Sequence, residues 1–132
     1  MEIPTRRFAN AIVARPVGRI DHATSGAVEL ALAPLVAEAG TSGGRLVLDF
    51  SALDYISSVG LRVLMVAAKQ LREREAQLLV TALQPVVAEI FAISRFNRIL
   101  SVTARLDEAL ALCSPQALAA YRSSEDPAGG PP

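Results

Sequence analysis

Cysteine, histidine and tryptophan are nearly missing from this sequence, and their scarcity excludes much chemistry. Of 132 residues one is cysteine (Cys113), one is histidine (His22), none is tryptophan, and aromatics reach only 5%. A lone thiol builds no disulfide framework, and one cysteine with one histidine does not make a zinc-ligand cluster. The expectation is a chain of a reducing, cytoplasmic setting that carries neither metal nor cofactor. Net charge is missing too, since 13 basic residues balance 13 acidic ones. No bulk field therefore draws the chain to nucleic acid or to an anionic membrane surface. Residues 1–7 lack the apolar core of a signal peptide, and no later apolar run approaches the ~18 residues that span a bilayer. We expect a protein that is neither secreted nor embedded in a membrane.

Apolar residues are plentiful, at 52%. The length suits one well-formed core and is too short for two ordinary domains. Residues 8–15 suggest a strand, with residues 2–7 as an earlier partner in an edge hairpin, ended by Pro16 and Gly18. Asp21 stands where a helix N-cap belongs, and Val28, Ala31, Leu32 and Leu35 follow at helical spacing, so a helix is predicted to about Ala39. Pro34 predicts a kink or break within it. After the turn residues Gly40, Thr41, Ser42, Gly43 and Gly44, the run from Arg45 to Phe50 has the branched apolar character of a buried central strand ending near Asp49. A short loop then leads to a second helix over residues 58–75, with Leu61, Leu64, Met65, Ala68 and Leu71 facing inward.

A further strand over 78–81, a helix opening at Pro85 with Val86, Ile90 and Ile93 on one face, a short strand over 99–102 and a helix over 104–113 complete the predicted order. The packed domain is expected to cover residues 1–113. Residues 114–132 form an extension, disordered from about Ser123, where the composition turns polar, Gly-rich and Pro-rich. Strands joined through helices imply an α/β fold: a mixed, mostly parallel sheet of four or five strands with about four packed helices.

Chemistry concentrates between Asp49 and Leu61, where a buried strand leads to a helix start bearing two hydroxyls, Ser57 and Ser58. With Ser57 as N-cap, its oxygen accepts from the amide of Val59 or Gly60 and leaves Ser58 with the freer hydroxyl. Spacing alone favours the plainer reading, two serines that only cap a helix. His22 has no second histidine and no nearby cysteine to work with, so no chemistry is assigned to it. Asp49 and Asp54 read as loop caps rather than paired catalytic carboxylates. Gly40, Gly43 and Gly44 precede a strand and lack the lysine of a phosphate-binding P-loop. No convergent set of reactive groups marks an enzyme.

Three segments carry a family resemblance: Gly18-Arg19-Ile20-Asp21, then Leu46-Val47-Leu48-Asp49-Phe50-Ser51, then Ser58-Val59-Gly60-Leu61. In order and separation they resemble the anti-sigma factor antagonists built on the STAS domain, over roughly residues 8–113. The resemblance implies a STAS-like fold and places the serine phosphorylated by a partner kinase at Ser58, with Ser57 as the second choice. Two positions depart from the family's habit: Ser57 stands where well-known members carry an acid, and Val59 where a second hydroxyl is common.

The resemblance further implies the partners. An anti-sigma factor that is also a serine-protein kinase would bind the chain while Ser58 is unmodified, supplying ATP and magnesium itself, and a metal-dependent serine phosphatase would reset the switch. The expected output is regulation of transcription or a related process by partner switching. The other reading is an unmodified STAS docking subunit of a lipid-transport or signalling complex. Asp21, Ser57, Ser58, Val59, Gly60, Arg62, Val63 and Val66 are the expected partner-binding residues. Val59, Arg62, Val63 and Val66 form a second stripe on the helix, which serves either as a contact surface or as packing beneath a neighbouring helix.

Overall fold

The computed structural model describes residues 3–41 and 43–124. The chain opens with a hairpin of β1 (Thr5–Phe8) and β2 (Ala11–Ala14), paired antiparallel from Thr5↔Ala14 to Phe8↔Ala11. The expected strand over 8–15 is thus divided by a two-residue turn at Ala9 and Asn10, where Ala9 takes φ 55°. β2 pairs in parallel with β4 (Arg45–Asp49), β4 with β6 (Gln77–Thr81), and β6 with β7 (Ser101–Thr103). The result is a mixed five-stranded sheet in the order β1-β2-β4-β6-β7. A separate parallel pair, β3 (Gly18–Ile20) with β5 (Leu53–Ile56), occupies what the sequence reading treated as turn and loop.

The period of two along each central strand divides the core in two. Ile12, Ala14, Leu46, Leu48, Leu78 and Val80 face the larger cluster, completed by α1 (Ser25–Thr41), α2 (Ser58–Arg72) and α3 (Pro85–Ser94). Ala11, Val13, Val47 and Leu79 face the opposite side, with Ala109, Leu110 and Cys113 of α4 (Leu106–Cys113) and Ala117 of α5 (Pro115–Ser124). Burial of the Cys113 thiol pushes its pKa up to about 11.

Packed structure therefore continues past Cys113, the expected end. Phe8 of β1 meets Tyr121 of α5 edge to face at 5.5 Å, and Ser114 Oγ donates to Asn10 Oδ1 at 2.7 Å. α5 was hidden in the sequence because Ala117 is its one fully buried residue. Five α-helices thus stand among the described residues where about four were expected. Most of the segment expected to be disordered, 125–132, lies outside the described residues.

Several expectations are corrected by physical detail. α1 begins at Ser25 rather than just after Asp21, because Asp21 closes a turn of its own: Oδ1 accepts from the amides of Ala23 and Thr24, and its carbonyl accepts from the Ser25 amide at 2.8 Å. Pro34 does not break α1. The carbonyl it deprives of a partner is that of Leu30, and both residues are exposed, so water can serve the lost bond. α2 stops at Arg72, three residues early, as the chain turns through Glu73, Arg74 and Glu75. Met65 points outward at 45% exposure, and Ala67 joins Leu61, Leu64, Ala68 and Leu71 inside. In α3 the buried residues are Val87 and Phe91, while Val86 and Ile93 are exposed; Phe50 and Phe96 bracket Phe91 edge to face and fix that rotation. A 3-10 turn over Phe96–Arg98 delays the last strand to Ser101.

Candidate functional site

The site is built by the small strand pair. Ile20 of β3 stands opposite Ile56 of β5, both buried, so the residues that follow, Asp21 and Ser57, leave the pair side by side. The Ser57 amide donates to the Ile20 carbonyl at 2.8 Å and clamps the start of α2 to the end of β3. Ser57 is the N-cap, in extended geometry, and its hydroxyl oxygen accepts from the Gly60 amide at 3.2 Å. Its residue exposure is 7%. Ser58, the first residue of α2, is exposed and makes no side-chain hydrogen bond among the described residues.

Gly60 is required by packing. A Cβ there would come within 2.7 Å of both Ile20 Cγ2 and Ile56 Cγ1, distances that no ordinary methyl contact reaches. Its absence seats the first turn of α2 directly on β3 and β5.

Two hollows meet at Ser58. One, of about 450 Å³, is polar and is lined by Arg19, Asp21, His22, Ala23, Tyr55, Ser57 and Ser58. Within it the Arg19 guanidinium lies 4.5 Å from the centre of the Tyr55 ring and donates through Nε to Asp21 Oδ2 at 3.3 Å. That bond, first, and then the amides of Ala23 and Thr24 hold the Asp21 carboxyl below its ordinary pKa, against an opposing desolvation that outweighs either amide alone. Asp21 therefore presents a carboxylate to the hollow at neutral pH. The other hollow, of about 510 Å³, is apolar, lined by Ser58, Val59, Leu61, Arg62, Met65 and Phe96.

Of the residues expected to meet a partner, Asp21, Ser57 and Ser58 share the polar hollow, and Val59 and Arg62 line the apolar one. Gly60 lies beneath them, buried. Val63 and Val66 border a different depression, with Glu29, Leu32, Ala33 and Val36 of α1. The second stripe of α2 is thus split between the Ser58 rim and the seam with α1. Arg19, Tyr55 and Phe96 are not among the expected site residues, and Met65, expected inward, lines the apolar hollow instead. Only the alternation in Arg19-Ile20 and Tyr55-Ile56, outward then inward, could have announced the first two, and it spans too few residues to stand out. His22 sits exposed in the turn before α1 rather than in its first turn.

Among the described residues no cluster of three or more histidine, cysteine or acidic side chains is placed to hold a metal. No helix among them is long and apolar enough to cross a membrane. Asp49 caps its own loop, accepting from the Ser51 amide at 3.0 Å, whereas Asp54 lies exposed on β5.

Comparison with known proteins returns a consistent neighbourhood. The model of the STAS domain family matches residues 2–109. BtrV of Bordetella bronchiseptica, a candidate anti-sigma factor antagonist, is 47% identical over 70 residues, which make up 53% of this chain and 60% of BtrV. The match thus spans less than two thirds of that relative. An anti-sigma factor antagonist from Mycobacterium paratuberculosis has a crystal structure similar at TM-score 0.74 and 25% identity, over 85% of this chain and 92% of that one. The Bacillus cell fate determinant SpoIIAA shares the fold, at TM-score 0.66 and 17% identity in its unphosphorylated form, over 84% of this chain and 95% of that one. Its phosphorylated form gives 0.60 and 16%, over 84% and 98%. With the family model matched over most of its length and the fold shared in three dimensions, the chain belongs to the STAS domain family.

Proposed function

We propose that the protein is an anti-sigma factor antagonist whose grip on its partner is switched at Ser58. Unmodified, it binds an anti-sigma factor with serine kinase activity; phosphorylated, it is released. The observation that carries this reading is the division of labour between adjacent serines: Ser57 is buried and engaged as the cap, while Ser58 is exposed and free at the junction of two hollows. The names of BtrV and of the mycobacterial structure, and the two phosphorylation states of SpoIIAA, support it.

The chain acts as substrate and ligand, not as an enzyme. In the transfer the Ser58 oxygen bonds to the γ-phosphorus of ATP held by the kinase, the β–γ bridge breaks, ADP departs and the hydroxyl proton passes to a base of the kinase. A metal-dependent phosphatase restores the hydroxyl by adding water and releasing inorganic phosphate. The apolar hollow with Val59, Arg62 and Met65 provides the contact surface beside Ser58.

The energetics favour a switch without refolding. A phosphoryl group brings −1.5 to −2 charges, which a helix N-terminus accommodates with a typical gain of ~0.3–1 kcal/mol. Enclosing that charge against an apolar partner surface costs several kcal/mol. An excess of ~3 kcal/mol weakens binding about a hundredfold.

The test is incubation with a cognate anti-sigma kinase and ATP, followed by mass spectrometry of the wild type, Ser58→Ala and Ser57→Ala. We expect one phosphate on the wild type and on Ser57→Ala, and none on Ser58→Ala. Absence of phosphate from both serines in the wild type defeats the proposal. Binding that persists unchanged in Ser58→Glu would instead indicate a constitutive docking subunit.

A further inference from the structure

The polar hollow holds a cation whose present partners are replaceable. Arg19 is exposed, donates only its Nε–H among the described residues, and otherwise rests over the Tyr55 ring. A guanidinium offers five N–H donors in a planar fork, so four are left unengaged. Asp21, for its part, does not depend on Arg19 for its place. Its Oδ1 accepts from the amides of Ala23 and Thr24 at 3.0 and 3.2 Å, and the Thr24 hydroxyl stands 3.3 Å away. Loss of the Arg19 contact would strand no buried polar group.

Resting on the reading of Ser58 as phosphoacceptor, we propose that Arg19 is the phosphoryl-responsive residue of this site: on modification of Ser58 its guanidinium leaves Asp21 and pairs with the phosphoryl group. Both side chains line one hollow, and a dianionic phosphoryl with three acceptor oxygens outcompetes a carboxylate for a two-pronged donor. The exchange also offsets repulsion between the new charge and Asp21 across the same hollow. Arg19 is thus a positioning residue that holds the modified form in one geometry, and it takes no part in the transfer itself.

The other charged or titratable groups bordering Ser58 are Asp21 and His22 from the turn before α1, Tyr55 from β5 and Arg62 from α2. A test must separate Arg19 from each cation among them. Phosphoserine is installed at position 58 of the full chain during translation, without any kinase, and its second ionisation is followed by ³¹P NMR across pH. Pairing with Arg19 lowers that pKa, so Arg19→Gln is expected to raise it by about half a unit or more, the discounted effect of an exposed opposite charge. Arg19→Lys should restore part of the difference, and Asp21→Asn should lower the value below that of the parent. His22→Gln and Arg62→Gln are expected to shift it less than Arg19→Gln.

A phosphoserine pKa unmoved by Arg19→Gln, or moved more by His22→Gln or Arg62→Gln, overturns the proposal. Unchanged circular dichroism and urea midpoint certify that each variant is folded, and Asp21→Asn supplies an independent perturbation of the same pair. Because no kinase is used, failure of a kinase to modify Ser58 defeats the switch reading without touching this measurement, and the reverse also holds.

Discussion

The chain turns from strand to helix at two neighbouring corners, and they solve one problem in opposite ways. Every helix start leaves backbone amides without partners. At the β6–α3 corner the N-cap is Gln84, whose side chain makes no cap; Pro85 follows and simply lacks the donor. The Gln84 amide reaches back instead, with Nε2 donating to the Ser51 carbonyl at 2.8 Å. At the β5–α2 corner Ser57 supplies the capping oxygen, and Ser58 occupies the position that proline holds in α3. Two positions further on, α2 has Gly60 where α3 has the fully buried Val87. The first corner is built wholly for packing. The second caps itself with one hydroxyl and leaves another in solvent, on a helix drawn close to its strands.

The sharpest way to break this comparison is to place the same charge at both corners. Ser58→Glu is expected to weaken binding of an anti-sigma kinase about a hundredfold, corresponding to ~3 kcal/mol. Pro85→Glu, at the equivalent position of α3, should change affinity less than about twofold, because surface substitutions away from a specific feature act within ~0.5 kcal/mol. Isothermal titration calorimetry of both variants with the kinase reads the difference. Equal losses would mean that the partner covers both corners.

Next in size is the contrast between Gly60 and Val87. Gly60→Ala forces a methyl into Ile20 and Ile56 and should cost about 1–3 kcal/mol through overpacking. Val87→Ala should cost a similar ~1.5–3 kcal/mol for the opposite reason, the loss of a fully buried side chain. Urea unfolding measures both. The two are told apart by function: tilting α2 moves Ser58, so Gly60→Ala should also slow phosphorylation, while Val87→Ala should not.

Much of this architecture is written in local patterns. The continuous apolar runs Leu46-Val47-Leu48 and Leu78-Leu79-Val80, and the helical spacing of Leu61, Leu64, Ala68 and Leu71, announce the elements that build the core. β3 and β5 are not announced, because three and four residues carry too little period and their pairing joins segments more than thirty residues apart. Met65 matches the inward spacing yet lies at the rim of the apolar hollow, since spacing gives an angle around the helix and not what stands opposite. At the site, the order Ser57, Ser58, Gly60 suggests Ser57 as the cap but leaves open that both serines only cap the helix; it is the Gly60 amide bonded to Ser57 Oγ, with Ser58 exposed, that divides them. That Asp21 comes beside Ser58 was suggested only by family likeness, and that Arg19 and Tyr55 join them depends on the Ile20↔Ile56 register.

Below these in size stands the serine pair itself. Ser57→Ala removes the oxygen that accepts from Gly60 and should destabilise the fold by ~1 kcal/mol. Ser58→Ala removes an exposed hydroxyl with no partner among the described residues and should stay within ~0.5 kcal/mol of the wild type. Equal losses in urea midpoint would show that Ser58 shares the capping, and its freedom as an acceptor would be in doubt.

The smallest effect concerns acid. Asp21 is held below its ordinary pKa first by the Arg19 hydrogen bond, with the amides of Ala23 and Thr24 adding to it. A carboxyl whose pKa is depressed in the folded state contributes stability above its unfolded pKa of about 3.9, and that contribution is lost as pH falls through the lower, folded value. Asn at this position keeps an oxygen for the two amides and loses the ion pair, so Asp21→Asn isolates the Arg19 part. The stability difference between wild type and Asp21→Asn should be constant above about pH 5 and should narrow as the medium is acidified below the ordinary carboxylate range. Arg19 is exposed and Asp21 only half-buried, so solvent reaches the pair and the difference should also shrink in high salt. A difference that widened with acid would place the charge of Asp21 in repulsive company, and the hollow beside Ser58 would then be ill suited to receive a phosphoryl group.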